Sequence, residues 1–189
     1  MTVYTESSTL AFMKPDTDVE QAKRGDAEAF GRLYELYVGE VYRYLYHRVD
    51  RLEDVEDLTS QVFLKAWQGI SRYRSQGVPF TAWLLRIAHN TVVDYYRSKK
   101  REISLTKLES DAGALDSTQR LEEEVERLQL RRAILRLRED YQRVIVLRFI
   151  MGMNGAEVAA IMGKREGTIR VMQHRALSAL RSILGEGEC

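Results

Sequence analysis

The stretch Asn154 to Leu184, "NGAEVAAIMGKREGTIRVMQHRALSALRSIL", decides the reading of the fold. Asn154 is a strong N-cap, and Glu157 three positions on completes a capping-box pattern, so a short helix starts there and buries Val158, Ala159 and Ile161. Gly163 supplies a tight turn, and a second helix follows. At about 100° per residue, Ile169, Met172, Ala176, Ala179, Leu180 and Ile183 gather on one side of it. Gly167, Thr168, Arg170, Val171, His174, Arg175, Ser178 and Arg181 fall on the other side or in its first turn. A helix with that outer face fits a DNA major groove, with Arg170 and His174 toward base edges and Arg175 and Arg181 toward phosphates. By itself the cationic row also suits a merely solvated surface; the capped helix and glycine turn before it favour DNA.

Outward from this pair the same periodicity continues. Only Pro15 and Pro79 interrupt the chain, apolar residues recur every three to four positions, and strand-like alternation is missing, so the fold class is all-α. Phe30, Leu33, Tyr34, Tyr37, Val41, Tyr44 and Leu45 mark one helix, preceded by a break at Gly25-Asp26. Val55, Leu58, Val62, Phe63, Ala66 and Trp67 mark the next, from about Arg51 to Ile70. A third begins near Phe80 and buries Leu84, Ile87, Ala88 and Thr91; Trp67 and Trp83 read as core. Residues 102–120 lose the pattern and collect Ser, Thr, Asp and Gly, as a linker does. The expected organisation is an N-terminal extension at 1–15, a helical domain at 16–101, a flexible linker at 102–120, and a helix-turn-helix domain at 121–189.

The formal net charge of the 189 residues is only +1, but the charges are segregated. Residues 50–57 are acidic, with Asp50, Glu53, Asp54, Glu56 and Asp57 against Arg51. Residues 86–101 and 164–181 are basic. One acidic patch and two basic ones imply two kinds of partner. A lone Cys189 excludes an internal disulfide, the start of the chain has no signal-peptide pattern, and nothing approaches the roughly 18 apolar residues of a membrane span, so a cytoplasmic protein without membrane insertion is expected. The only histidines, His47, His89 and His174, lie far apart, and no HExxH, paired-Cys or phosphate-loop pattern occurs. No catalytic residue, metal or cofactor is expected, and the chain does not read as an enzyme.

Two segments carry a resemblance. Residues 54–101, "DVEDLTSQVFLKAWQGISRYRSQGVPFTAWLLRIAHNTVVDYYRSKKR", resemble the second conserved region of bacterial sigma factors, and 155–181, "GAEVAAIMGKREGTIRVMQHRALSALR", resemble the fourth. Residues 22–49, "AKRGDAEAFGRLYELYVGEVYRYLYHRV", look like the first helix of the same family, and the short linker matches its extracytoplasmic-function group. The resemblance covers roughly Asp18 to Leu184 and departs from the family at Arg165, where a Ser or Thr cap is common, and at Met172 and Leu177, often basic elsewhere.

The resemblance implies a stress-type transcription initiation factor that binds core RNA polymerase and promoter DNA, under control of an anti-sigma factor. It implies polymerase docking through Asp54, Glu56, Asp57, Leu58 and Gln61. It implies capture of the upstream −10 strand by the loop residues Tyr73, Arg74, Ser75, Gln76 and Gly77, with Tyr73 equally suited to the core. Arg86, His89, Asn90, Val93 and Arg97 face away from the buried stripe of the third helix, and Lys99, Lys100 and Arg101 extend that basic track into the same −10 region, with Asp94 as a structural hydrogen-bonder. The helix-turn-helix would read the −35 element. The competing reading is a stand-alone helix-turn-helix transcription regulator, which leaves the acidic helix and the strand-capture segment unexplained.

Overall fold

A computed structural model of the chain describes residues 15–75, 79–103 and 121–185. The expected extension up to Lys14, most of the 102–120 linker, the loop positions Gln76 and Gly77, and Cys189 lie outside the described residues. Helices and turns are the only regular structure among them, as the sequence periodicity requires.

The chain starts with α1 (Pro15–Lys23) and reverses at Gly25, whose φ of +94° suits glycine. Asp26 then caps α2 (Ala27–Tyr46), its Oδ1 accepting from the N–H groups of Glu28 at 3.0 Å and Ala29 at 3.1 Å. Next come α3 (Leu52–Gly69), a 3₁₀ turn (Ile70–Arg72) and α4 (Phe80–Ile103). The stripes bury as the spacing dictates: Leu33, Val41 and Leu45 from α2, Val55, Val62 and Ala66 from α3, Leu84, Leu85 and Ala88 from α4. Trp67 tilts against Phe30, and Trp83 against Tyr73 and Phe80, both partly buried on the core as expected.

The second cluster consists of α5 (Leu121–Arg136), α6 (Glu139–Ile145), a π-helical turn (Val146–Ile150), α7 (Gly155–Met162) and α8 (Glu166–Gly185). Ile134, Leu147, Val158 and Ile169 are fully buried in it, and α8 packs on α5, α6 and α7.

The two clusters also touch, which a reading of separately tethered domains does not contain. α7 lies against α4, and Arg131 of α5 reaches the end of α2. Arg131 Nε donates to the Tyr46 carbonyl at 2.8 Å, and its Nη2 to the Val49 and Asp50 carbonyls at 2.6 and 2.7 Å. Beside this seam runs a groove of about 450 Å³ lined by Glu40, Ala82, Met151, Met153 and Ile161. No helix among the described residues is long and apolar enough to cross a membrane.

Candidate nucleic-acid interface and docking face

The helix-turn-helix forms because each local signal agrees with the next. Asn154 Oδ1 accepts from the Glu157 N–H at 3.0 Å, while the Asn154 N–H donates to Glu157 Oε2 at 2.7 Å, completing the capping box. Gly163 takes a left-handed conformation at φ +63°, and the Lys164 N–H returns to the Ala159 carbonyl at 3.0 Å. The turn lets α8 bury Ile169, Met172, Ala176 and Leu180. Arg148, from the π-helical turn, bridges the Met153 carbonyl and Gln173 Oε1 and thereby ties the approach to α7 onto α8.

With that side buried, the opposite side is solvent. Gly167, Thr168, Arg170, Val171, His174, Arg175, Ser178 and Arg181 are all exposed. Arg170 is 84% exposed and lies 3.9 Å from Glu166 one turn back, a loose surface pair that leaves its donors available. α8 thus carries a contiguous polar and cationic outer face, with Val171, itself half-exposed, as an apolar patch suited to a thymine methyl.

α4 is less uniform. Asn90, Arg97 and Lys100 are exposed and Val93 is half-buried. Arg97 sits 3.9 Å from Asp94, and Asp94 also faces Lys65 at 3.8 Å, so Asp94 acts within a surface charge cluster. Lys99 donates to the Tyr95 hydroxyl at 2.8 Å and lies over its ring. Arg101 lies on the last turns of α4, and its side chain falls outside the described residues. Arg86, although exposed, donates to the Ala160 carbonyl of α7 at 2.8 Å. His89 has a 14% exposed side chain, 3.7 Å from Glu139 of α6. Burial, and then the neighbouring Arg143 and Arg48, lower its pKa from 6.5 to about 3, so the imidazole is neutral and its approach to Glu139 is polar rather than ionic.

In the loop, the structure takes the second of the two readings of Tyr73. Arg74 and Ser75 are exposed, but Tyr73 is buried, its ring against Phe80 and Trp83 at centroid distances of 5.4 and 5.2 Å. Tyr73 anchors the loop to the core and does not present a stacking surface.

A correction concerns α3. Glu56, Asp57 and Gln61 are exposed, and Asp54 is half-buried, accepting from the Tyr95 hydroxyl at 2.6 Å. Leu58, however, is only 4% exposed and belongs to the core stripe. The apolar residue of the outer face is Leu64, 57% exposed. It lies about 180° from Val55 on the helical wheel, and Asp57, Gln61 and Leu64 are spaced i, i+4, i+7 along one line. Reading the buried stripe to its complement would have found Leu64.

Comparison with known proteins bears on this arrangement. Residues 33–102 match the sigma-70 region 2 family model, and residues 127–180 match that of sigma-70 region 4. The extracytoplasmic-function (ECF) RNA polymerase sigma factor BldN of Streptomyces coelicolor is 40% identical over 169 residues, 88% of this chain and 64% of that protein, so the chain spans under two thirds of this relative. The ECF RNA polymerase sigma factor ShbA of Streptomyces griseus is 30% identical over 176 residues, 87% of this chain and 92% of that protein. Among solved structures, the sigma factor RpoE of Bartonella quintana, in complex with the anti-sigma factor NepR, has a similar fold, with a TM-score of 0.67 at 24% identity, covering 84% of this chain and 98% of that one.

Proposed function

The chain belongs to the sigma-70 family, in its extracytoplasmic-function group, and on that premise we propose that it lends core RNA polymerase the recognition of two promoter elements. One observation carries the reading: the same chain holds an exposed basic recognition face on a capped helix-turn-helix and, on α3, an exposed acidic and apolar line at Asp57, Gln61 and Leu64. A duplex reader acting alone has no use for the second.

In this reading α8 enters the major groove of the −35 element as duplex. Arg170 and His174 address base edges, while Arg175 and Arg181 hold phosphates and make binding salt-dependent. The −10 element is taken as a single strand by Arg74, Ser75, Gln76 and Gly77 with the basic track of α4 from Arg86 to Arg101. Unpairing and unstacking cost a few kcal/mol, which favourable contacts to the captured strand must offset. α3 docks on the polymerase, where acidic residues steer encounter with a basic surface and Leu64 adds buried area. The 102–120 linker threads the polymerase cleft between the two elements. All nucleotide chemistry belongs to the polymerase. A protein antagonist holds the factor inactive; the similarly folded RpoE of Bartonella quintana is itself seen bound to an anti-sigma factor.

Purified chain, bacterial core polymerase and a pool of genomic promoter fragments test this directly. Sequence-selective run-off transcripts that require both proteins are expected. Selective DNA binding by the chain alone, with no effect on initiation by the core enzyme, would replace the proposal with a stand-alone regulator.

A further inference from the structure

Two candidate faces meet at the C-terminal half of α4. The acidic side of α3 begins one turn before Asp57, at Asp54, whose side chain is 26% exposed. The basic track of α4 runs past Lys99. Between the two lies Tyr95, half-buried, its ring edge-on to Tyr96 at a centroid distance of 5.0 Å. Lys99 Nζ donates to the Tyr95 hydroxyl oxygen at 2.8 Å, and that hydroxyl donates to Asp54 Oδ2 at 2.6 Å.

Chemistry fixes the direction of this chain. An ammonium only donates, an ionised carboxylate only accepts, and a phenol has a single proton to give. With Lys99 on its lone pair, Tyr95 directs that proton to Asp54, and the cation behind the hydroxyl polarises the O–H toward the carboxylate. Burial, then the hydrogen bond and charge of Asp54, raise the Tyr95 pKa, so the donor keeps its proton. Asp54 has a competing use for its oxygens. It stands at the third position of α3, whose N-cap Arg51 makes no side-chain bond to the free N–H groups of the first turn. An aspartate there can turn back on those groups and on the positive end of the helix. Tyr95 instead draws it across to α4, and the loose contact from Arg51 Nε, at 3.9 Å, falls on the same oxygen. Oδ1 accepts no hydrogen bond among the described residues and is left for a partner.

We propose that Tyr95, backed by Lys99, is a positioning residue for polymerase docking: it holds the Asp54 carboxylate in the direction from which a basic group of the polymerase meets it. Lys99 thereby serves docking as well as the strand, for which its other two donors remain. Holding the carboxylate beforehand removes an ordering cost from association. This rests on the reading of α3 as the polymerase face, and the test separates the two claims.

Titration of the full chain into labelled bacterial core polymerase, without DNA, gives the affinities. Tyr95→Phe keeps the ring and removes the hydroxyl, and it should weaken affinity about 3- to 10-fold, the worth of one hydrogen bond. Lys99→Met should weaken it by a smaller factor. The sign of that second change is decisive: removing a positive charge from a chain that docks through acidic residues strengthens binding if charge alone acts. In an Asp54→Ala background neither change should alter affinity further, because no carboxylate is left to position. Helical circular dichroism and denaturant midpoints show that each variant is folded. Unchanged affinity in Asp54→Ala overturns the reading of α3 at Asp54, and the positioning with it. Weakened affinity in Asp54→Ala, with Tyr95→Phe either unchanged or fully additive to it, overturns the positioning alone. If Tyr95→Phe loses its helical signal, Lys99→Met decides, and equal or tighter binding there rejects the proposal.

Discussion

Leu64 and Leu58 lie six residues apart on α3, and exchanging each for alanine separates docking from folding. Fully burying a leucine side chain is worth about 1.5 to 3 kcal/mol. Leu64 still holds 57% of its surface in solvent, so covering it in a polymerase interface is worth about 0.9 to 1.7 kcal/mol. Leu64→Ala should therefore weaken affinity for core polymerase by up to about 4- to 16-fold, at about 1.4 kcal/mol per factor of ten, and leave unfolding nearly unchanged. Leu58 is 4% exposed, so Leu58→Ala removes core packing and should cost about 2 to 5 kcal/mol of stability. Under conditions where that variant remains folded, its polymerase affinity should match the parent. Titration of labelled core polymerase gives the affinities, and denaturant unfolding gives the stabilities. Leu64→Ala with affinity within two-fold of the parent, together with folded Leu58→Ala losing ten-fold, would refute the assignment of the docking line and return it to Leu58.

Arg170→Ala with His174→Ala should weaken promoter-specific initiation by about 1 to 3 kcal/mol for each base-edge interaction removed, with polymerase affinity and melting temperature unchanged because both side chains are exposed; equal run-off from parent and variant would remove them from the recognition face. Asn154→Ala breaks the capping box and should lower stability by about 1 kcal/mol, read as a shift of the denaturant midpoint. Acidification should destabilise the fold through two histidines. Burial, then Arg131 and Arg43, lowers the His47 pKa to about 4, and His89 is lowered to about 3. Folded-state values below 6.5 mean that the unfolded chain binds protons first, so these groups contribute nothing to the slope above about pH 6.5. Below it each removes up to about 1.4 kcal/mol per pH unit until its folded value is reached. Denaturant midpoints at pH 7.5, 6.5 and 5.5 check this, and His89→Gln should shallow the slope between the last two.

What the sequence made legible was local. The break at Gly25-Asp26, the cap at Asn154, the turn at Gly163 and the apolar stripes act within a few residues, so pattern alone locates α2, α7 and α8 and the exposed side of α8. The ambiguities lie between faces or between loop and core. Leu58 falls both in the apolar stripe of α3 and beside its acidic residues, and its 4% exposure places it in the core. Tyr73 lies in a polar loop, yet Phe80 and Trp83 beyond the turn draw its ring inward. The junction between the clusters has no sequence signature. Arg131 and Arg132 are neighbours in "LQLRRAILR", and the partners of the buried one are backbone carbonyls of residues more than eighty positions away, which any side chains could have supplied. The π-helical turn at Val146–Ile150 is equally silent, because i→i+5 pairing has no residue preference strong enough to read.

The chemistry of those carbonyls ranks the contacts across the seam. Arg86 is held by one neutral acceptor, the Ala160 carbonyl, on an otherwise exposed side chain. That bond is already charge-assisted by the guanidinium, and a phosphate adds an opposite charge and a second oxygen for a bidentate grip, so it is the better acceptor for Arg86. Arg131 is different: three carbonyls, burial and an aromatic face hold it, and nothing on a nucleic acid replaces all of them at once.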